Sequence, residues 1–508
     1  MSDTPEIGLG YTILRRAELT PERKALTFEG ETWTFEEFGQ RIRRLATLLR
    51  AGGVCRGDRV GYIGLNHPLL LEALYACSCL GAIFVPLNFR LTGPEMRFIV
   101  NDAGIHTMFA DNMLRPLVDQ ERDNLVCQRY ISIEDDAPKW EPLATLMADS
   151  EPLQLIEKVQ SDEVAFIMYT SGTTGLPKGA MLTHGNVFWN GVNTAYGEDF
   201  MGTATLTCAP LFHIGGLNVT TLPSLARGVE VVLIRSFDPG EVLAALEKYA
   251  VSTMFGAPTM FLMMSQHEKF ESTDLSQIGA FIVGGAPVPV PLINLYGERG
   301  ICFCQGYGLT ETSPFATLLE STMALEKVGS AGRPPMFTDV RIVDAENHPL
   351  PAGEHGEVCV RGPNVLKGYW NRPEATADAI DQQGWFHSGD IGYFDDQGYL
   401  FLCDRVKDMV ISGGENIYPA EVESILYGHS ALLEVAVIGL PDEHWGEAVT
   451  AVVVLKEGAK LELDELRDFA GQSLAKYKLP SRLYFIDELP RNPAGKVQKF
   501  KIKEELVA

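Results

Sequence analysis

From residue 169 to 179 the chain reads Tyr169-Thr170-Ser171-Gly172-Thr173-Thr174-Gly175-Leu176-Pro177-Lys178-Gly179. Its glycines let backbone come close to a ligand. Its small hydroxyls and amides donate hydrogen bonds, and Lys178 adds a point charge. This is the chemistry of a polyphosphate cradle. It is not a Walker A loop: counted from Gly172, Pro177 stands at the second glycine position, and Lys178 is followed by Gly179 where that motif needs Ser or Thr. The apolar residues 164–168 predict a strand leading into the loop.

Other strings carry complementary chemistry. In Gly306-Tyr307-Gly308-Leu309-Thr310-Glu311, the tyrosine ring can stack on a purine while the glycines leave its face accessible. Thr310 can donate to a phosphate. Glu311 offers a hard oxygen to Mg²⁺, which takes one or two carboxylates beside phosphate oxygens. Asp390 follows Gly389 and has two acceptor oxygens for two adjacent ribose hydroxyls, although a turn-forming aspartate has the same look. Judged alone, His213 is a structural histidine and Lys496 a surface lysine.

Further matches follow in order: Ala209-Pro210-Leu211-Phe212-His213, Trp385-Phe386-His387-Ser388-Gly389-Asp390, Asp404-Arg405-Val406-Lys407-Asp408, Gly413-Gly414-Glu415-Asn416-Ile417-Tyr418-Pro419 and Asn492-Pro493-Ala494-Gly495-Lys496. Together these strings resemble the adenylate-forming superfamily of acyl- and aryl-CoA synthetases, adenylation domains and luciferases. They look most like bacterial fatty-acyl-CoA and feruloyl-type CoA ligases.

The resemblance implies a role for each residue. Thr170, Ser171, Gly172, Thr173, Thr174, Gly175 and Lys178 would hold the phosphates of ATP, with Thr174 joining Glu311 at Mg²⁺. Gly306, Tyr307 and Gly308 would take adenine. Gly284, Gly285 and Ala286 would form part of that site and one wall of an acyl pocket. Gly215, Gly216, Asn218 and Val219 would form another wall, with His213 at its carboxylate end. Asp390 would hold ribose with help from Arg405, for which an inter-domain ion pair is the competing reading. Lys496 would lie between the substrate carboxylate and the α-phosphate, where one unit charge at about 4 Å contributes on the order of 4 kcal/mol at an effective dielectric of 20. Lys407 would be a hinge or simply a surface lysine. Gly413 and Gly414 would line a pantetheine tunnel. Arg90 would meet CoA phosphates or pair on the surface. Met254, Met260, Met263 and Met264 either line an adaptable pocket or pack core.

The implied reaction joins a fatty or aryl acid to AMP with release of pyrophosphate, then transfers the acyl group to CoA. An amine or a carrier protein is the alternative acceptor, and a non-catalytic nucleotide or acyl sensor the alternative of another class.

The elements that must position these residues can be read from the pattern. Residues 60–64, 69–80 and 82–85 read as strand, helix and strand, a βαβ unit. Short apolar strands follow at 204–209, 229–234, 253–256, 280–283 and 301–304, with helices at 216–227, 240–249, 258–267 and 287–298. From 328 to 402, short β pieces between Gly and Pro suggest a small barrel or twisted sheet. Helices near 419–427 and 463–475 and strands near 433–439, 449–455 and 482–486 form a compact α+β unit. The expected fold is α/β: a large N-terminal domain, 1–404, of two α/β sheets and a small barrel, and a small mobile C-terminal domain, 405–508.

The net charge of −25 lacks the basic footprint of a protein that coats nucleic acid, but leaves room for a small phosphate site. The nine cysteines include no CxxC pair, which points to reduced thiols in a cytosolic protein and away from a metal cluster. Residues 1–6 lack the basic and apolar regions of a secretory signal. Residues 74–89 carry no charge, but the run is too short to span a bilayer and reads as a buried helix leading into a strand. A homodimer is a common state among look-alikes.

Overall fold

The computed structural model describes residues 6–507 apart from 171–175, 198–201, 286–287, 406–407, 413–414, 443–444 and 492–496, with backbone only at 404, 405, 415, 416 and 507. Two compact units divide the chain. The first holds 1–340 and 360–386, the second 341–359 and 387–508.

The first unit contains two eight-stranded sheets. In one, the strands Glu230–Leu233, Ala204–Thr207, Thr253–Gly256, Ala280–Gly284 and Cys302–Gly308 lie parallel in that spatial order, and Phe315–Leu319 closes the edge antiparallel. In the other, Val164–Thr170 lies between Ile83–Leu87, to which it is parallel, and Lys178–Thr183, with which it forms an antiparallel hairpin. Every residue of the helix Pro68–Leu80 is buried, as its uniformly apolar sequence demands. Its one charge, Glu72, is 1% exposed and accepts two hydrogen bonds from Arg41. Each large apolar side chain buried this way contributes about 1.5–3 kcal/mol.

Two elements differ from the pattern in ways that matter for the site. The strand expected at 301–304 runs on to Gly308, so Gly306-Tyr307-Gly308 lies on a strand. The helix expected at 216–227 opens with wide π-helical turns over Gly216–Thr221, where Leu222 N–H reaches Leu217 O, and becomes α-helical at Leu222–Arg227. A Cβ on Gly216 would lie 2.3 Å from Pro210 O, so this turn forms against the backbone of the Pro210–His213 loop.

In the second unit, Phe386–Phe394 pairs antiparallel with Leu400–Arg405, placing Asp390 opposite Arg405. A separate sheet pairs Leu432–Asp442 with Gly446–Leu455 and carries Arg482–Phe485 parallel to the latter. The helices Pro419–Leu426 and Leu463–Ala470 supply side chains to its core. The second helix stops at Ala470, short of the expected 475.

Candidate active site

Parallel strands of an open sheet present their loops, and hence their ligands, at the carboxyl ends. In the first unit those ends gather many of the expected residues. The loop after Ala204–Thr207 brings His213 and Gly215, Thr253–Gly256 brings Phe255, Ala280–Gly284 ends at Gly284, and Cys302–Gly308 carries Tyr307. Gly284 stands opposite Gly306 in the ladder.

Phe255 ties this group together, and sequence reasoning overlooked it. A Cβ on Gly215 would lie 2.7 Å from the phenyl Cε1 and 3.2 Å from His213 Nδ1, while one on Gly284 would lie 3.3 Å from Cε2. The ring therefore fills the space these two glycines leave. An aromatic at the carboxyl end of a strand between two glycine-bearing segments was the available signal. Gly285 has φ +88°, a left-handed conformation that favours glycine.

His213 accepts a hydrogen bond from Gly215 N at Nδ1, 3.1 Å. The pKa of the imidazole is lowered, first by desolvation and second through the Arg90 charge. His213 is nonetheless exposed to solvent. Phe212 meets Phe89 edge to face at 5.4 Å, and the Arg90 guanidinium lies 4.7 Å from the Phe89 ring. Arg90 thus stands beside the histidine loop. Asn218 and Val219 are almost wholly buried, at 0% and 2% exposure, and Asn218 Nδ2 donates to Ser313 O at 2.6 Å. Both are packed inside the fold, Asn218 through its bond to Ser313 and Val219 in a cluster with Phe315, and so join this segment to the one after Glu311.

On either side of the string expected to cradle phosphate, Thr170 and Lys178 are ladder partners in the hairpin. Tyr169 OH donates to Asp102 Oδ2 at 2.7 Å, and Arg372 holds the other oxygen at 2.7 Å, which anchors one arm. Lys178 Nζ lies 5.3 Å from the centre of the Tyr369 ring, and Tyr369 OH donates to Glu311 Oε1 at 3.0 Å. Tyr369 was also missed. Its hydroxyl pKa is pushed up by burial and by Glu311, so it stays a neutral donor to the carboxylate. Glu311 is 8% exposed, and its carbonyl accepts from Leu366 N at 2.8 Å. A buried carboxylate with a neutral donor on one oxygen fits a Mg²⁺ that takes its other ligands from phosphate and water. Thr310 is half-buried at the same turn.

Of the methionines, Met254 and Met264 pack core, Met260 lies against it, and Met263 is 49% exposed. All nine thiols are free, with Cys55 and Cys302 exposed. In the second unit Asp390 is 9% exposed and its N–H donates to Ser388 Oγ at 3.0 Å. Ser171, Gly172, Thr173, Thr174, Gly175, Ala286, Lys407, Gly413, Gly414 and Lys496 lie outside the described residues, as does the Arg405 side chain.

A model of the AMP-binding enzyme family matches residues 13–370, and one of the AMP-binding enzyme C-terminal domain matches 421–496. The chain belongs to the AMP-binding enzyme family. Among its family relatives, a feruloyl-CoA synthase of an Amycolatopsis species is 46% identical over 501 residues, covering 98% of both chains. The long-chain-fatty-acid–CoA ligase FadD13 of Mycobacterium tuberculosis is 39% identical, covering 98% of this chain and 99% of its own. The o-succinylbenzoate CoA synthetase of Bacillus subtilis, solved with its acyl-adenylate intermediate, superposes with a TM-score of 0.87 at 35% identity, covering 97% of both chains. This AMP-binding enzyme is an AMP-forming acid–CoA ligase that uses ATP, Mg²⁺ and CoA. The expected fold, a large N-terminal and a small C-terminal portion of mixed α/β structure, agrees with these structural relatives. No described helix is long and apolar enough to cross a membrane.

Proposed function

We propose that this ligase activates an arylpropenoic acid of the hydroxycinnamate type. The observation that carries the reading is the glycine-bracketed Phe255 ring beside His213, a flat apolar wall suited to a planar acyl group. Identity of 46% across the whole of a feruloyl-CoA synthase supports it.

In the first half-reaction a carboxylate oxygen attacks the α-phosphorus of ATP. The new bond is C(O)–O–P, and pyrophosphate leaves with the electrons of the broken P–O bond. In the second, the CoA thiol gives its proton to solvent, its sulfur bonds the acyl carbon, and the acyl C–O bond breaks with its electrons leaving on AMP. Bound Mg²⁺ neutralises phosphate charge, and the site residues do the positioning. Thr170, Lys178 and the 171–175 loop hold phosphates, and Tyr307 stacks on adenine. Thr310 donates to the α-phosphate. Glu311, with Thr174, serves the metal, and Asp390 with Arg405 takes the ribose hydroxyls. His213 orients the carboxylate. Lys496 separates the two anions that must meet, and Lys407 is the hinge of a functional boundary at 404/405. Gly413 and Gly414 leave room for pantetheine. Arg90, beside the histidine loop, guards the acyl entrance and receives CoA phosphate. The enzyme works in the cytoplasm, as a homodimer.

Pyrophosphate release over a panel of acids tests the substrate class. Phenylpropenoic acids should exceed long-chain saturated acids in kcat/KM by about tenfold or more, the scale of discrimination that pocket shape supplies. A preference for the long-chain acids would overturn the reading.

A further inference from the structure

Inside the strand Phe386–Phe394, just before Asp390, Gly389 has φ +70°, a left-handed conformation that glycine adopts at no steric cost. This local turn of the strand departs from extended geometry, so a side chain that holds it helps the aspartate meet a ligand in one geometry. One side chain from a neighbouring strand does so. Glu357 Oε1 accepts from Gly389 N at 3.0 Å, and Oε2 accepts from His387 Nδ1 at 2.8 Å. The carboxylate spans the turn, with one oxygen on the residue before Ser388 and the other on the residue after it. Ser388 Oγ then accepts from Asp390 N at 3.0 Å. Cys359, two residues along the Glu357 strand, places Sγ 3.5 Å from the same imidazole nitrogen. Glu357 and His387 are only 25% and 22% exposed, so water competes weakly for these bonds.

We infer that Glu357 is a positioning residue for ATP: by bridging His387 and Gly389 it fixes the turn that aims Asp390 at the ribose. The inference rests on the proposed ribose role of Asp390. Glutamate suits the task because both contacts are donated to it and a carboxylate is acceptor-only. Glutamine keeps an oxygen for Gly389 N and can offer its amide N–H to the other imidazole tautomer. Alanine keeps neither contact.

The test compares KM for ATP with KM for 2′,3′-dideoxy-ATP, which lacks the hydroxyls that Asp390 would hold. In the wild-type enzyme the dideoxy analogue should bind about tenfold more weakly, the scale of losing one or two charge-assisted hydrogen bonds. Glu357→Ala should raise KM for ATP about tenfold, leave KM for the analogue within about twofold, and leave KM for the acid and for CoA unchanged. Glu357→Gln should recover most of the loss. Should Glu357→Ala fold poorly, Ser388→Ala reads the same turn and should move the ATP-to-analogue ratio the same way by about threefold.

A wild-type ratio in Glu357→Ala, beside a collapsed ratio in Asp390→Ala, overturns the positioning role and keeps the ribose assignment. A wild-type ratio in Asp390→Ala overturns the ribose assignment and this inference with it. Equal rises in KM for ATP, analogue, acid and CoA in Glu357→Ala would mark a general structural defect and also overturn it.

Discussion

Glu311 and Asp390 both follow glycine-containing strand segments, and both are proposed to offer acceptor oxygens to a nucleotide, but the molecule holds them by different means. Glu311 sits at the end of a strand of the large sheet, 8% exposed. Its backbone is tied by Leu366, its side chain by Tyr369, and the neighbouring Thr312 and Phe315 carbonyls by Asn364 Nδ2. Asp390 sits inside the strand Phe386–Phe394, beside the left-handed Gly389 and opposite Arg405 in the ladder, with Ser388 and Glu357 adding hydrogen bonds at this local turn of the strand. The first carboxylate is tied by side chains far along the chain, the second by its sheet and by two side chains at the strand's local turn. A core-fixed charge loses little entropy when its ligand arrives and is suited to a step where charge shifts. A turn-held acceptor is suited to binding, where an error costs affinity more than rate.

That contrast makes ordered predictions. The largest effect belongs to the cation the adenylation step needs. Lys496→Ala should slow acyl-adenylate formation by about 10²–10³-fold while thioester formation from supplied acyl-AMP stays near wild type. Single-turnover assays of each half-reaction measure this, and equal losses in both would remove the assignment.

Glu311→Gln comes next. It keeps an acceptor for Tyr369 OH but removes the charge, so kcat for adenylation should fall about a hundredfold with the melting temperature nearly unchanged. If the loss appears in KM for ATP alone, with kcat intact, the difference between the two carboxylates disappears. Asp390→Ala should show the reverse pattern, KM for ATP up about tenfold with kcat changed by less than about threefold.

Gly215→Ala tests the acyl wall. Its Cβ would press on the Phe255 ring at 2.7 Å and on His213 at 3.2 Å. The expected cost is about 1–3 kcal/mol in kcat/KM for aryl acids, with Phe255→Ala restoring part of it for bulkier acids. An unchanged acid profile in both variants would detach Phe255 from substrate selection.

The smallest effect on turnover, and one on stability, comes from a buried histidine. Burial lowers the pKa of His184 to about 4, from an ordinary value near 6.5. Between these values the unfolded chain binds more protons than the folded one. Stability is therefore complete above pH 6.5 and falls as the pH drops toward 4, by up to about 3 kcal/mol for this group. Urea midpoints at pH 7.5 and pH 5 measure the slope. His184→Asn should remove this group's share of the slope and leave that of His67, which burial also lowers to about 4, with KM for ATP unchanged because the His184 side chain accepts from Leu9 N in the first helix.

Much of this was legible in the residues. The βαβ periodicity located Pro68–Leu80 and the strands at 253–256 and 280–284 to within a residue or two, because sheets covered on both faces demand uninterrupted apolar runs. The strand leading into the string at 169–179 was legible as an uninterrupted apolar run. Phe255 and Tyr369 were not. An aromatic in an apolar strand looks the same whether it packs core or lines a recess, and Tyr369 is 58 residues from the carboxylate it serves. Asn218, expected as acyl wall, is fully buried, in a π-helical segment that the apolar pattern could not tell from an α-helix.

Composition and motif order determined by themselves that this chain builds α/β layers around a polyphosphate and an acid. Side-chain chemistry and the period of apolar residues are local properties, written along the chain. Tertiary structure alone decided which ring meets which glycine, which tyrosine holds Glu311, and that Glu357 spans the turn before Asp390. Those choices depend on contacts between residues far apart in sequence, and only the folded chain brings them within hydrogen-bonding distance.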